Sequence, residues 1–396
     1  MLTPAYICDA VRTPFCREGG KLSSLRADDL AALPLLTLME RHPGLDWEQV
    51  ADVILGCACQ IGEEQGDIAR TAGLLADLPA SVPGITLNRR CSSGLDAIGT
   101  AARAIKSGEI GMAMAGGIES ASRLALTRNK LTSLLYLDEK LEAGSASLRH
   151  PLIKIQYGAE SALTLADSLA RELDIDRDAQ DAFAWISHQK ALAAKSAGWL
   201  TAELAPITLA QKNGDPLIVN QDELRPPSSM QALADQANLQ GRISAAHLAE
   251  AGDGACALLL ACEKTAQKYS LMPKARILGM AVTGVTPGLA GIGAASAARK
   301  LLVQLGLHLE QMDVIELHEA FAVHALAVLR DWGLRDDDPR INPLGGALAY
   351  GDPVGASGAK LAVSAMHTLH RVKGRYALCA ICVGSGQGVA LAIERV

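Results

Sequence analysis

The chain has 396 residues, of which 49% are hydrophobic and 20% charged, and carries a formal net charge of −6. This composition excludes a disordered chain, and an acidic balance without a dense Lys/Arg run excludes nonspecific nucleic-acid binding. No apolar run approaches a membrane span, and Met1-Leu2-Thr3-Pro4-Ala5 lacks the basic and apolar regions of a signal peptide, so a cytoplasmic protein is expected.

Residues 5–11 read as a short strand stopped by Arg12-Thr13-Pro14. Helical periodicity runs from Ala27 to Arg41, where Pro34 predicts a kink or a split first turn. Val50 to Cys59 reads as a buried strand, Asp67 to Leu78 as a helix, and Gly84 to Asn88 as the lead into a cysteine corner. A further helix follows Cys91 and continues through Ala101, Ala102 and Ile105 to Gly108; Gly111 to Gly117 is a core strand. Strands alternating with helices predict a wound α/β sheet, and the length predicts two or three packed units. Residues 121–248 break this rhythm: 123–150 reads as charged loops with short helices, and 159–173 as an amphipathic helix or pair. Asp176 caps another helix, and Glu223 to Pro227 marks a turn. The wound pattern resumes at Cys256 to Cys262.

An internal repeat is visible at an offset of 261 residues, which carries Asp52-Val53-Ile54 onto Asp313-Val314-Ile315, Cys91 onto Asp352 and Gly94 onto Gly355. We read it as true repetition rather than chance likeness of two α/β units. Facing halves would bring both corners to one cleft.

The chemistry concentrates at these corners. Cys91 sits on Asn88-Arg89-Arg90-Cys91-Ser92-Ser93-Gly94 just before a helix, where backbone N–H groups and Arg90 are expected to push a thiol toward thiolate. Leu317-His318-Glu319-Ala320-Phe321-Ala322 places His318 at a strand end. Gly345 to Gly358 is glycine-punctuated, and Cys382-Val383-Gly384-Ser385-Gly386-Gln387-Gly388 puts a second thiol at another strand end. Singly each feature is common: a lone cysteine is usually structural, a lone histidine usually satisfied, and no Gly-Lys-Ser/Thr makes a P-loop. Nine cysteines without a secretory signal predict free thiols. Cys379 and Cys382 lie three residues apart on a strand and point to opposite faces, so no metal is expected from the Cys57/Cys59 and Cys379/Cys382 pairs.

In their joint order these segments, with Val11-Arg12-Thr13-Pro14, Asp176-Arg177-Asp178 and Asp253-Gly254, resemble the thiolase family over essentially the whole chain. The resemblance implies a five-layer αβαβα fold of two similar wound halves. These would be an N-terminal half (1–120 plus 249–268), a coenzyme A-binding loop domain (121–248) and a C-terminal half (269–396). It implies a homodimer or tetramer and no tightly bound cofactor, with coenzyme A and acyl-CoA as substrates, and fatty acid metabolism as the setting. Cys91 would be the acylated nucleophile and Cys382 the acid/base. The N–H groups of Cys91 and Gly384 would form the oxyanion hole, and His318 would clamp the enolate. Phe321, Ala249 and Ala322 would line the coenzyme A path.

The sequence departs from the family where Gly-His-Pro is usual, reading Gly351-Asp352-Pro353, and an ionised Asp352 would oppose both thiolate and enolate. Either Asp352 is protonated or turnover is impaired. His247-Leu248-Ala249-Glu250 and Ala162-Leu163 also depart from the usual pantetheine and acyl-site residues. The leading expectation is thiolysis of 3-oxoacyl-CoA or the reverse Claisen condensation. The alternatives are a diverged condensing enzyme with another acyl donor and an acyl-CoA-binding protein with weak turnover.

Overall fold

The computed structural model describes residues 3–127, 151–157, 160–211 and 214–396. Most of the charged segment expected at 123–150, and Ala159, therefore lie outside the described residues. In chain order the principal elements of the first half are β1 (Ala5–Arg12), α1 (Ala27–Arg41), β2 (Val53–Gly56), α2 (Ile68–Leu75), β3 (Gly84–Leu87), α3 (Ser93–Ser107) and β4 (Met112–Ser120). Helices α4 (Ala162–Glu172) and α5 (Arg177–Ser196) follow with two small two-stranded sheets, and β5 (Gly252–Cys262) returns to the main sheet. Then come β6 (Ala275–Gly284), α6 (Gly293–Leu305), β7 (Val314–Leu317), α7 (Ala322–Asp331), α8 (Val354–Val372), β8 (Tyr376–Val383) and β9 (Gln387–Arg395). Helix α1 is one helix through Pro34, not two. The expected strand at 50–59 shortens to four residues and the helix at 67–78 to eight, with the Asp67 side chain accepting from the Arg70 N–H as its cap.

Hydrogen bonding orders the main strands β7-β8-β9-β6-β1-β5-β4-β2-β3. The two ends of this order mirror each other. Strand β2 runs parallel to β4 as β7 does to β8, and β4 is antiparallel to β5 as β8 is to β9. Within the sheet order the halves join at β1 and β6 through two residue pairs, Tyr6 with Arg276 and Ile7 with Ala275. The sheet is therefore mixed, not wholly parallel, because β5 and β9 enter as antiparallel partners.

Side-chain alternation sorts the strands into layers. Along β5, Leu258 and Leu260 face an inner core while Ala257 and Leu259 face an outer one. The outer core of the first half is closed by Leu30, Leu35 and Leu38 of α1 and Ile68 and Ala72 of α2. That of the second half is closed by Ala298 and Leu301 of α6 and Leu326 and Val328 of α7. Between them, Ile98, Ala101 and Ile105 of α3 pack with Ala362, Ala365 and Met366 of α8 in one shared inner core. Three cores separate five layers, αβαβα, with α3 and α8 in the middle.

The middle layer is tight because its residues are small. A Cβ at Gly94 would lie 2.7 Å from the Gly355 carbonyl oxygen, and one at Gly358 would lie 2.8 Å from the Leu95 nitrogen. Gly94 and Gly355 are the residues related by the 261-residue offset, so the repeat's equivalent corners touch each other.

Candidate active site

Strand β3 ends at Leu87 and α3 begins at Ser93, which leaves Asn88 to Ser92 to turn the chain. Side chains hold that turn. The Arg90 N–H donates to Asn88 Oδ1 (3.0 Å), and Asn88 Nδ2 donates to the Ala58 carbonyl (2.9 Å). Ser93 Oγ accepts from the Arg89 N–H (2.8 Å) and donates to the Arg90 carbonyl (2.6 Å). Arg90 takes φ 51°, a left-handed conformation that side chains seldom adopt. Cys91 follows, half-buried at the N-terminal end of α3.

The environment does not make this thiol acidic as the sequence predicts. Burial first, then the Asp352 charge, push Cys91 up to about 12, and its own N–H and Arg90 only partly oppose them. The helix terminus is present; desolvation outweighs it.

Cys382 sits near the end of β8 with its sulfur at the start of α6. Its Sγ accepts from the Ala294 N–H (3.4 Å), and the thiol donates to the Gly291 carbonyl (3.1 Å). Burial pushes it up to about 12 against the pull of the Ala294 and Gly293 backbone N–H groups. Cys379 faces the inner core while Cys382 packs toward the outer one, as their odd spacing predicts. The corners of the two thiols are tied directly: Arg89 Nη1 donates to Gln387 Oε1 (3.0 Å) across 298 residues, and Gly384 packs beside Arg90 Cδ.

His318 ends β7, its N–H donating to the Ala380 carbonyl (3.0 Å). Its Nε2 lies 3.1 Å from Asp352 Oδ1, and Ser357 Oγ donates to the same oxygen at 2.5 Å. Both His318 and Asp352 are buried. Burial alone would raise the Asp352 pKa, yet His318 by charge and hydrogen bond, and Ser357 by hydrogen bond, hold it below the usual carboxylate range. Of the two expectations for Asp352, these partners favour the ionised carboxylate, whose charge opposes the Cys91 thiolate. His318 Nδ1 is buried without a hydrogen-bond partner among the described residues.

Two glutamates brace these corners. Glu119 accepts from the N–H groups of Ala58, Cys59 and Gly355, and so pins the chain after β2, on which Asn88 of the first corner also rests, to the start of α8. Burial raises its pKa and, more strongly, that of Glu64 beside it, so the pair keeps a proton near neutrality. With Cys57 these two form the group of potential ligand atoms within 4.8 Å found among the described residues, and the shared proton accounts for their closeness. Glu319, next to His318, accepts from Ser187 of α5 (2.7 Å), Asn342 and the Leu348 N–H. Sequence reading passed over both bracing roles, because the spacing that creates them is long-range.

A cleft of about 160 Å³ reaches the Asp352 corner. Arg17, Glu223 and Arg225 line it together with His188, Leu248, Glu250, Tyr350 and Gly351. Ala249 lies between two lining residues, its N–H donating to the Ala320 carbonyl (3.1 Å). Phe321 and Ala322 do not line the cleft; Phe321 bridges to Leu248 and stacks on His324 at 4.8 Å. The arginines at the cleft were not singled out from the sequence, where the Glu223 to Pro227 turn marks Arg225 and nothing marks Arg17.

The thiolase N-terminal domain model matches residues 5–264 and the thiolase C-terminal domain model matches residues 271–395. The chain belongs to the thiolase family. It is 48% identical over 396 residues to the beta-ketoadipyl-CoA thiolase of Pseudomonas putida, covering 99% of each chain. It is 48% identical over 400 residues to the 3-oxoadipyl-CoA/3-oxo-5,6-dehydrosuberyl-CoA thiolase of Escherichia coli strain K12, again covering 99% of each. Among solved structures it matches the Bacillus anthracis acetyl-CoA acetyltransferase with TM-score 0.86 and 31% identity, covering 100% of this chain and 99% of that one. This thiolase is thus an acyl-CoA acyltransferase of the thiolysis type, with coenzyme A and acyl-CoA as substrates and no tightly bound cofactor. The enzyme reading prevails over the acyl-CoA-binding one. Among the described residues no helix is long and apolar enough to cross a membrane.

Proposed function

We propose that this thiolase cleaves short 3-oxoacyl-CoA thioesters of the 3-oxoadipyl type, whose acyl part ends in a carboxylate, through an acyl–Cys91 intermediate. The observation that carries the mechanism is the Arg89–Gln387 bond, which joins the Cys91 corner to the Cys382 corner. The substrate class follows the names of the relatives at 48% identity, and replaces fatty acid metabolism as the setting.

In this reading the Cys91 thiol passes its proton to the Asp352–His318 pair as its sulfur attacks the C3 carbonyl carbon. The C2–C3 bond breaks, and its electron pair passes to C2 as the enolate of acetyl-CoA. Cys382 delivers a proton to C2 and releases acetyl-CoA. Coenzyme A then enters, its thiol proton passes to Cys382, its sulfur displaces Cys91 from the acyl group, and Cys91 takes back the proton held by the Asp352–His318 pair. One thioester replaces another, so the acyl transfer needs no external energy source. The N–H groups of Cys91 and Gly384 hold the tetrahedral oxyanion. His318 steadies the enolate oxygen, while Asp352 keeps the imidazole oriented and tempers the reactivity of Cys91. The cleft past Arg17 and Arg225 admits the pantetheine arm, with Ala249 beside its lining and Phe321 and Ala322 behind Leu248 outside it, and residues 121–248 form the coenzyme A-binding domain between halves 1–120 plus 249–268 and 269–396.

The chain acts in the cytoplasm as a two-fold homodimer. Strand β3 ends the sheet order with Ile85 exposed, and Leu74 and Leu75 of the neighbouring α2 are exposed too. An open strand edge beside apolar side chains is suited to pairing with a second copy.

Intact-protein mass spectrometry tests the chemistry. Incubation with 3-oxoadipyl-CoA is expected to leave one succinyl group on Cys91 and free acetyl-CoA, and Cys91→Ser to abolish both. An unmodified wild-type protein with no acetyl-CoA released would overturn the reading.

A further inference from the structure

We infer that His188 is a coenzyme A-binding residue of the cleft, hydrogen-bonded to an amide of the pantetheine arm. The inference rests on the reading above that places the arm in this cleft, and adds the side chain that holds it there.

His188 stands on α5, one residue after Ser187. Ser187 is held in place: its Oγ donates to Glu319 (2.7 Å) and accepts from the Gly346 N–H (3.0 Å), and a Cβ at Gly345 would lie 2.7 Å from its carbonyl oxygen. These contacts clamp α5 to the Gly345-Gly346 turn. His188 thereby joins the cleft wall together with Leu348, Ala349, Tyr350 and Gly351, the stretch that leads into the Asp352 corner. Its side chain is only 9% exposed. Both ring nitrogens lack a hydrogen-bond partner among the described residues, yet neither is sealed off as His318 Nδ1 is, so both remain open to the cleft.

The other polar side chains of the wall are engaged or open to solvent. Tyr350 donates to the Leu344 carbonyl (2.6 Å), Gln236 accepts from the Ala246 N–H (3.1 Å), and Arg17 faces Glu223 at 3.8 Å, while Arg225 and Glu250 are exposed. His188 is the buried one left unpaired, and an unpaired buried polar side chain is costly unless a ligand completes it. Burial lowers its pKa to about 4, so at neutral pH the imidazole is uncharged, with one N–H to donate and one lone pair to accept. An amide offers the complement, one carbonyl and one N–H, and the pantetheine arm carries two amides. The phosphates at the nucleotide end offer acceptors alone and are better met by a cation.

Isothermal titration calorimetry of the full chain with coenzyme A, and with pantetheine lacking the nucleotide, tests the assignment. His188→Phe keeps an aromatic ring in the wall and removes its hydrogen bonds. It is expected to raise Kd for both ligands by about 3- to 10-fold, the worth of one neutral hydrogen bond. His188→Asn, which restores a donor and an acceptor, is expected to recover part of the loss. The binding stoichiometry separates this from misfolding, which lowers the number of sites rather than their affinity. In thiolysis the KM for coenzyme A is expected to rise with Kd while kcat at saturation holds, as for a contact made equally in ground and transition states. An unchanged Kd in His188→Phe overturns the inference, and so does a rise for coenzyme A without one for pantetheine, which would move the contact to the nucleotide. A wild-type enzyme that binds coenzyme A yet leaves 3-oxoadipyl-CoA intact overturns the thiolysis reading instead, and the His188 contact stands or falls on Kd alone.

Discussion

The two corners at the heart of this thiolase occupy equivalent places in its repeated halves and carry opposite chemistry. Each opens an inner helix, α3 or α8, the first after strand β3 and the second after a short helical turn at Ala347–Tyr350, and the two helices touch at Gly94 and Gly355. The first corner presents Cys91, the second Asp352, 261 residues later. The same backbone device, a helix start exposing N–H groups, therefore serves a thiol on one side and a carboxylate on the other. What separates them is their side-chain company. Asp352 is held ionised by His318 and Ser357, whereas Cys91 has only its own N–H and Arg90 against burial and the Asp352 charge. A carboxylate with two donors keeps its charge inside the protein; a thiol without a paired cation keeps its proton.

The comparison breaks most visibly at Cys382, the thiol proposed to transfer protons. Cys382→Ser is expected to lower steady-state thiolysis by about 10²- to 10⁴-fold, the usual worth of a positioned acid/base. A smaller loss would move proton transfer elsewhere.

Asp352→His tests the opposition between the corners. Removing the carboxylate removes the second cause of the high Cys91 pKa, so more thiolate exists at a given pH and the alkaline limb of the pH–rate profile moves to lower pH. Each unit of that movement is worth about tenfold in rate below the limb. A rate that falls or stays level in Asp352→His would show that Asp352 does not hold the thiol back.

Gly94→Ala sharpens the contact between the halves. Its Cβ would meet the Gly355 oxygen at 2.7 Å and Ala359 at 2.9 Å, backbone and helix on both sides. A destabilisation of about 1–3 kcal/mol is expected from overpacking, read as a lower midpoint in urea unfolding. An unchanged midpoint would mean that α3 and α8 can slide apart freely.

The smallest effect is a slope. Glu64 has a raised pKa in the folded protein, with burial the first cause and the Glu119 charge the second. The folded state therefore holds a proton that the unfolded chain releases above the ordinary glutamate value, and stability is lost as pH rises from there toward the raised value. Glu64→Gln is expected to flatten thermal stability across neutral pH; a parallel pH dependence in variant and wild type would refute the shared-proton account.

Much of this arrangement was written locally. The helix over Ala27–Arg41, the Asp176 cap, the turn at Gly108 and the strand into the cysteine corner follow from short-range periodicity and capping, which depend on neighbours in the chain. The opposite facing of Cys379 and Cys382 follows from strand geometry alone. The thiolase motifs likewise named Cys91, His318, Asp352 and Cys382 because each sits at the end of a strand or the start of a helix.

The charge states could not be read the same way. Proximity to a helix start predicts an acidic Cys91, but only the packed structure adds the desolvation that reverses it, and only it pairs Asp352 with His318 across 34 residues. The bracing by Glu119 and Glu319, the seat of Cys382 against Gly291 and Ala294, and the Arg89–Gln387 tie all join residues remote in sequence. By itself the sequence determined the elements, the repeat and the reactive residue types, since these depend on patterns a few residues wide. The tertiary structure alone decided which groups are charged and which corners meet, because electrostatics in a buried site depends on everything within a few ångströms, however far away it lies along the chain.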